Sequence, residues 1–555
     1  MKANFKPLAL AAAVASASYT GAVSAQTVSP DGLGDMAIIP YYSVEGNFQT
    51  GMHIINTSEY TQVVKLRFRR ASDSMDALDI DLVMSPKDVW TGSLSDDSGE
   101  LLLTTDDNTC TVPENSLGKD PGVFAFPDLY REGAEEGYIE VIGMGSPSQD
   151  YNYGTGDSND YEDTAIAMAA VHEDGVPVDC DAVRDNFFSQ NQVVADSVGA
   201  ALNDYGNINY YTTTMEWWET EDEEDKAKFT NWYEDTDNVL RVSYFLRDAT
   251  SGLEFGSEAV HIHDFLSTAA MTNQQFGLFA GDTSGFDYPD LNGGVPSGSP
   301  AVPFVVTPGP NRGKFNELRS VLGVDSVLND WSTASERNVA TDWVVTFPGQ
   351  YTMLDYYLYT VGEAQGLFDC GSENSNVEDE DIPECDFRDL PIRAEFSGSN
   401  AGVYDREEGE LTPEQGDLVV SPSIPGAVVT TQFEYEVNVV EWTDGSGADP
   451  VLNSNYTVTV DTSEYSQPFG WAQLSVREGN NTSDSNDDNI RIGANPTPSA
   501  PAICDFDGDS GSVDVGLDQD LPLMDCVSAD PGIPMVGFVA WERSFPSDPS
   551  ANYGR

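Results

Sequence analysis

The chain has 555 residues, with 94 Asp and Glu against 25 Lys and Arg, a formal net charge of −69. A surface this acidic repels nucleic acid and anionic lipid, so nucleic-acid binding is set aside. It suits a saline setting, where salt screens self-repulsion within about 10 Å at 0.1 M, and it suits the recruitment of divalent cations.

The first element in chain order is a leader. Lys2 and Lys6 give a basic start, an apolar run over 8–17 is too short to span a bilayer, and Val23-Ser24-Ala25 supplies small residues for cleavage. This pattern predicts a signal peptide over 1–25. No Cys follows to take a lipid, and charges or Pro and Gly interrupt every later apolar stretch, so no transmembrane segment is expected. The expected location is extracellular or at the cell surface. Six cysteines, Cys110, Cys180, Cys370, Cys385, Cys504 and Cys526, fit export as disulfides. Sequence does not choose among the pairings. The sequential one, Cys110–Cys180, Cys370–Cys385 and Cys504–Cys526, is the simplest. None of the spacings is CxxC, which leaves redox catalysis and zinc binding poorly supported.

Most of the remaining signal is strand and turn. Val64, Leu66 and Phe68 alternate with Lys65, Arg67 and Arg69, and then Leu78, Ile80 and Leu82 alternate with Asp79 and Asp81. This predicts a hairpin with its apolar face in the core and opposite charges paired outside. The rival reading of the basic stripe, which includes Arg70, is docking onto the acidic surface of a second copy. Further strands are expected over 138–144, 165–171, 239–246, 259–263, 342–347, 456–460, 471–476 and 536–541. The strictest alternation runs over 429–439 and predicts one long half-buried strand. Helices are expected only over 187–202 and 315–322. Segments 145–163, 219–225, 283–313, 371–384 and 478–498 read as acidic, Gly- and Pro-rich surface insertions. No regular repeat marks a solenoid or a propeller.

The blocks Gly34-Asp35-Met36-Ala37-Ile38-Ile39-Pro40-Tyr41-Tyr42, His53-Ile54-Ile55-Asn56-Thr57-Ser58 and Leu78-Asp79-Ile80-Asp81-Leu82-Val83-Met84-Ser85-Pro86-Lys87-Asp88-Val89-Trp90-Thr91 resemble a group of exported "cell surface" proteins of marine and environmental Gram-negative bacteria. Thr341-Asp342-Trp343-Val344-Val345-Thr346-Phe347-Pro348 adds to the likeness. The resemblance covers these blocks and not the acidic insertions. It implies surface localisation and a β-sandwich, and it assigns no chemistry.

Each catalytic signal is weak on its own terms. Gly508-Asp509-Ser510-Gly511 echoes a serine-protease nucleophile block, but no matching His block precedes it. Asp505, Asp507 and Asp509 are spaced like the first ligands of an EF-hand, yet Gly511 falls one place late and Gly516 stands where the closing Glu belongs. With Asp514 they remain candidate calcium ligands on a non-EF loop. Residues 486–489 form a second, weaker candidate. His261 and His263 share one face of a strand beside Asp264, a pair that metal hydrolases use, against the plainer reading of two solvent-facing histidines. Residues 309–315 fall one residue short of a P-loop and read as a turn. Trp217-Trp218 suits either a glycan contact or a core.

Together these readings predict a mainly β chain: one or two Ig-like β-sandwich domains with long acidic insertions, few helices, disulfides and calcium as the candidate cofactor. Expected boundaries are 1–25 for the leader and 26–350 for the first region. A second region, 351–555, is either separate or completes the same sandwich. The expected role is structural or adhesive and not enzymatic, in a surface layer, matrix or biofilm, with other surface components or copies of itself as partners. The alternatives are a secreted polysaccharide-acting hydrolase and a soluble glycan- or lipid-binding protein.

Overall fold

The computed structural model describes residues 26–72, 74, 76–127, 131, 133–147, 166–186, 233–234, 236–266, 291, 318, 320–324, 326–349, 392–396, 403–406, 431–433, 435–445, 450–463, 465–476, 491–492, 502–504, 527–528, 533–545 and 552–554. They are mainly β, in several sheets that are almost wholly antiparallel. The first strands are β1 Thr27–Val28, β2 Met36–Ser43, β3 Phe48–Asn56, β4 Gln62–Arg70, β5 Asp76–Met84, β6 Val89–Asp97, β7 Glu100–Thr104, β8 Cys110–Val112, β9 Val123–Ala125 and β10 Glu136–Pro147. There follow β11 His172–Glu173, β12 Val176–Pro177, β13 Tyr233–Glu234, β14 Leu240–Asp248, β15 Glu254–Glu258 and β16 Val260–His263. The later strands are β17 Gly323–Val324, β18 Ser326–Ser332, β19 Val339–Thr346, β20 Ile392–Phe396, β21 Val403–Asp405, β22 Thr431–Phe433, β23 Val437–Thr443 and β24 Thr457–Asp461. Last come β25 Phe469–Val476, β26 Arg491–Ile492, β27 Ala502–Cys504, β28 Val527–Ser528, β29 Ile533–Pro534, β30 Val536–Arg543 and β31 Tyr553–Gly554.

The first half builds two sheets, in the orders β1-β16-β2-β10-β4-β5-β8 and β15-β14-β3-β6-β7-β9. Alternating residues such as Leu66, Phe68, Ile80 and Leu82 from one and Ile54, Leu94, Leu103 and Val242 from the other share one buried core. The second half repeats the plan. One sheet runs β18-β25-β20-β22, with β21 also on β25, and the other runs β24-β23-β19-β30-β31. Chain order and neighbours match strand for strand: β2, β10, β4 and β5 correspond to β18, β25, β20 with β21, and β22. Likewise β15, β14, β3 and β6 correspond to β31, β30, β19 and β23.

The match extends to single residues. Ser43 pairs with Glu136 and Tyr42 with Gly137; Ser332 pairs with Phe469 and Trp331 with Gly470. Where the chain turns from one sheet to the other, Thr50 Oγ1 accepts the Ser43 N–H at 3.0 Å and donates to the Ser43 carbonyl at 2.9 Å. Thr341 does the same for Ser332, at 2.9 and 3.2 Å. Gly137 and Gly470 are required for the same reason. A Cβ would lie 1.8 Å from the Arg69 carbonyl oxygen in one case and 1.8 Å from that of Tyr404 in the other. The copies diverge at β24, which is parallel to β23, whereas β7 is antiparallel to β6.

The halves are packed together. Val344, Val437, Val439, Val536 and Ala540 of the second half belong to the core of the first, while Trp331, Trp343, Phe433 and Leu474 form a second core. Phe538 lies against Tyr41 and Tyr244, with ring centroids 6.4 and 6.1 Å away. Thr346 Oγ1 donates to the Pro40 carbonyl at 2.6 Å. This covering explains why every residue of β2 is buried. Strands before residue 350 pair with strands after it, β19 with β23 and β30.

Three expectations need correction. The strand expected over 165–171 is not found at 166–171: Ile166–Ala169 is a short helix, α1, as the alanine-rich run Ala-Ile-Ala-Met-Ala-Ala prefers. The long strand expected over 429–439 is two strands in different sheets, β22 and β23. The chain bends at Tyr435, whose carbonyl accepts from the Asn438 side chain at 2.6 Å, and Val437 to Val440 are then buried on both faces. The charged face of the β4–β5 hairpin is not on the outside, as shown below. Of the expected helices, 187–202 lies outside the described residues, and 315–322 is helical at 318 and 320–322.

Cys110 and Cys180 form a disulfide, as the sequential pairing expects. It ties the second helix, α2 (Cys180–Asn186), to β8, over a small cluster of Val63, Val83, Met144, Ala170 and Val183. Asp179 caps α2 by accepting the Ala182 N–H at 2.9 Å. The bridge closes a separation of 70 residues. Replacing both cysteines by serine is therefore expected to cost about 2–4 kcal/mol in denaturant unfolding. An unchanged midpoint would show that the cap holds without it. Cys504 lies in β27; Cys370, Cys385 and Cys526 lie outside the described residues.

Candidate functional site

The most concentrated chemistry in the described residues is a ladder of charges across β10, β4 and β5. The predicted pairing of the basic and acidic strands is present, with Lys65 facing Asp81 and Arg67 facing Asp79 on β5; Arg67 also faces Glu140 on β10, which the sequence did not announce. Lys65 Nζ lies 2.8 Å from Asp81 Oδ1. Arg67 grips Asp79 with two N–H groups, Nε to Oδ1 at 2.9 Å and Nη2 to Oδ2 at 3.0 Å. Its Nη1 lies 3.6 Å from Glu140 Oε2. Arg69 Nε donates to Glu140 Oε1 at 3.1 Å and its Nη1 to the Ser74 carbonyl at 3.1 Å.

The side chains of these six ionic residues are fully buried. The hairpin pairing is thus as expected and its setting is the opposite. Period-2 alternation separates two faces; it does not say which of them meets water. Burial pushes the Asp81 carboxyl up to about 7, against the pull of Lys65. Lys65, Arg67 and Arg69 are neutralised within their own chain, so they are not offered to a second copy.

Two more buried carboxylates act as clamps. Asp35 accepts the N–H groups of Phe265 and Leu266, at 3.0 and 2.9 Å. Asp342 accepts those of Val451 and Leu452, at 2.8 and 2.9 Å. Desolvation raises Asp35 to about 6 and Asp342 to about 7. Glu136 joins the halves: it accepts the Tyr41 hydroxyl at 2.6 Å and the Asn455 N–H at 2.7 Å, and burial raises its carboxyl as well.

The two rings of the histidine pair have separate partners, and they do not both face solvent. His261 is buried, and its Nε2 accepts the Val242 N–H at 2.8 Å, with burial lowering its pKa toward the neutral ring. His263 Nε2 lies 3.3 Å from Asp31. A Ser-His-Asp grouping that sequence reasoning missed joins Ser85, His172 and Asp88. Ser85 Oγ is 2.9 Å from His172 Nδ1, and Asp88 Oδ2 is 4.0 Å from the same nitrogen. A nucleophile relay needs the Ser and the Asp on opposite ring nitrogens. Here Asp88 instead receives the Ser85 N–H and the Thr109 hydroxyl, both at 3.1 Å, and shapes the turn.

Asp505, Asp507, Asp509 and Asp514 lie outside the described residues, as do 486–489, 309–315, Ser510 and Trp217-Trp218. Among the described residues no three His, Cys, Asp or Glu side chains are grouped to hold a metal ion, and no helix is long and apolar enough to cross a membrane. A scan against protein-family models finds no match, and comparisons with curated proteins and with solved structures find none.

Proposed function

We propose that this chain is an exported structural or adhesive protein of a bacterial cell surface or its surrounding matrix. The observation that carries this reading is the use made, among the described residues, of the buried ionisable groups. Lys65, Arg67, Arg69, Asp79, Asp81 and Glu140 hold three strands together, and Asp35, Asp342 and His261 hold backbone. Groups engaged this way build a scaffold and present no chemistry to a substrate.

The Cys110–Cys180 bridge supports an oxidising compartment, in keeping with the leader and with the resemblance to exported surface proteins. On this reading each sheet pair is an Ig-like β-sandwich, the acidic segments are surface loops, and the Asp505 loop takes calcium. Other surface components are the partners.

The test is expression of the full chain, leader included, in a Gram-negative host, followed by antibody labelling of intact cells and fractionation. Labelling of intact cells or recovery from the medium is expected. Retention in the cytoplasm would overturn the reading. Release of reducing ends from a polysaccharide panel by the purified chain would replace it with the hydrolase.

A further inference from the structure

The repeated strand plan shows where the second half differs from the first. In the first half β2 is flanked on both sides, by β10 and by β16. The β16 contact is short: Val260 faces Ile38, His261 faces Ala37 and Ile262 faces Met36. Three places beyond the matched Gly137, Glu140 faces Ile38; three places beyond Gly470, Gln473 faces Leu328. Five places beyond, Ile142 faces Met36 and Ser475 faces Ser326. Ser326–Leu328 of β18 is therefore the counterpart of the stretch that β16 covers. Among the described residues no strand covers it, and Leu328 is 62% exposed.

The rest of that edge is closed. In an antiparallel ladder alternate residues turn both backbone groups to the same side. The outward N–H of Asp330 is taken by Asn329 Oδ1 at 2.8 Å and its carbonyl by Trp343 Nε1 at 2.9 Å. Those of Ser332 are taken by Thr341 Oγ1. At the other end Gly323 and Val324 pair with β29. The same alternation turns the backbone groups of Leu328 and Ser326 outward, and among the described residues no strand takes them.

We propose that this opening is a two-fold seam at which a second copy of the chain pairs its own Ser326–Leu328, antiparallel. The register is self-complementary. A two-fold axis at Val327 sets Ser326 opposite the second copy's Leu328 and Leu328 opposite its Ser326. Both are hydrogen-bonding positions, so the seam closes with no backbone group left over. The two exposed Leu328 side chains become diagonal neighbours on one face. A long donated strand would meet the side-chain caps at Asp330, whereas a three-residue self-pair fits between them. The stretch is also uncharged in a chain of net charge −69, which makes it a place where two such acidic bodies can meet. A seam this small gives a weak dimer that strengthens as salt screens the remaining repulsion. The inference stands on the strand register and not on the surface role, so its failure would leave the localisation reading untouched.

Sedimentation velocity of the purified full chain tests it, across protein concentration and at 0.1 and 1 M sodium chloride, where the screening length falls from about 10 to about 3 Å. A dimer is expected to grow with protein concentration and to grow further at high salt. Leu328→Pro removes an outward N–H that β25 does not use, and Leu328→Lys puts like charges side by side. Each is expected to weaken the dimer at least about tenfold, which is 1.4 kcal/mol, with an unchanged circular dichroism spectrum and melting temperature. A chain that stays monomeric at every concentration and salt overturns the proposal. So does a dimer that both folded variants leave intact.

Discussion

Arg67→Ala is expected to destabilise the protein by about 3–5 kcal/mol, the cost of leaving a buried charge without its partner. Arg67 holds Asp79 through two N–H groups and stands 3.6 Å from Glu140. Its removal takes the two-pronged grip from a fully buried Asp79 carboxylate and leaves it Lys65 Nζ at 3.9 Å. The pair itself adds little net stability, because desolvating both ions offsets most of their attraction. The double replacement Arg67→Met with Asp79→Leu is therefore expected to be close to neutral, and more stable than Arg67→Ala alone. Urea unfolding of the three proteins checks this. A loss below about 1 kcal/mol for Arg67→Ala would mean that water reaches the ladder, and the account of a dry charged layer would fail.

Stability is expected to fall as pH rises from about 4 to about 7. Burial raises Asp35 to about 6, and Asp81 and Asp342 to about 7, from the ordinary aspartate value of 3.8. Between these limits the folded chain binds more protons than the unfolded one, so unfolding becomes easier with each step up in pH. The stabilisation is fully present below the unfolded value and is lost through the folded one. For Asp342 alone the difference is on the order of 4 kcal/mol. Relief of repulsion among the surface carboxylates acts in the same direction. Urea unfolding should therefore give a higher midpoint at pH 5 than at pH 8. Asp342→Asn keeps a carbonyl oxygen for Val451 and Leu452 but cannot ionise, so it should narrow that gap. A higher midpoint at pH 8, or an unchanged gap in Asp342→Asn, would show that the clamp is ionised without penalty.

These outcomes depend on features that were unequally legible in the sequence. The ladder's register could be read, since Lys65, Arg67 and Arg69 alternate against Asp79 and Asp81. Glu140 could not, because it arrives from β10, some 71 residues away from Arg69. The clamps at Asp35 and Asp342 were equally hidden: their partners lie 230 and 109 residues distant, and a lone Asp in a strand carries no mark of the backbone it will receive. The Ser85, His172 and Asp88 contact is built from loops that only the fold brings together.

Local chemistry was enough for the mainly β character and the β4–β5 pairing, because alternation and turn residues act over short stretches; the cysteine count pointed to disulfides, but the fold chose Cys110 and Cys180 as partners. Tertiary structure decided the rest. It buried the charged face of β4 and β5, since alternation distinguishes two faces without saying what lies over either. It split the alternating run over 429–439 at Tyr435, because successive segments of a two-sheet fold can cross from one sheet to the other without breaking the hydrophobic pattern. It also revealed that the chain carries one strand plan twice. The two copies share neighbours, register and the close approaches at Gly137 and Gly470, and those are relations between distant backbones that many different side chains satisfy.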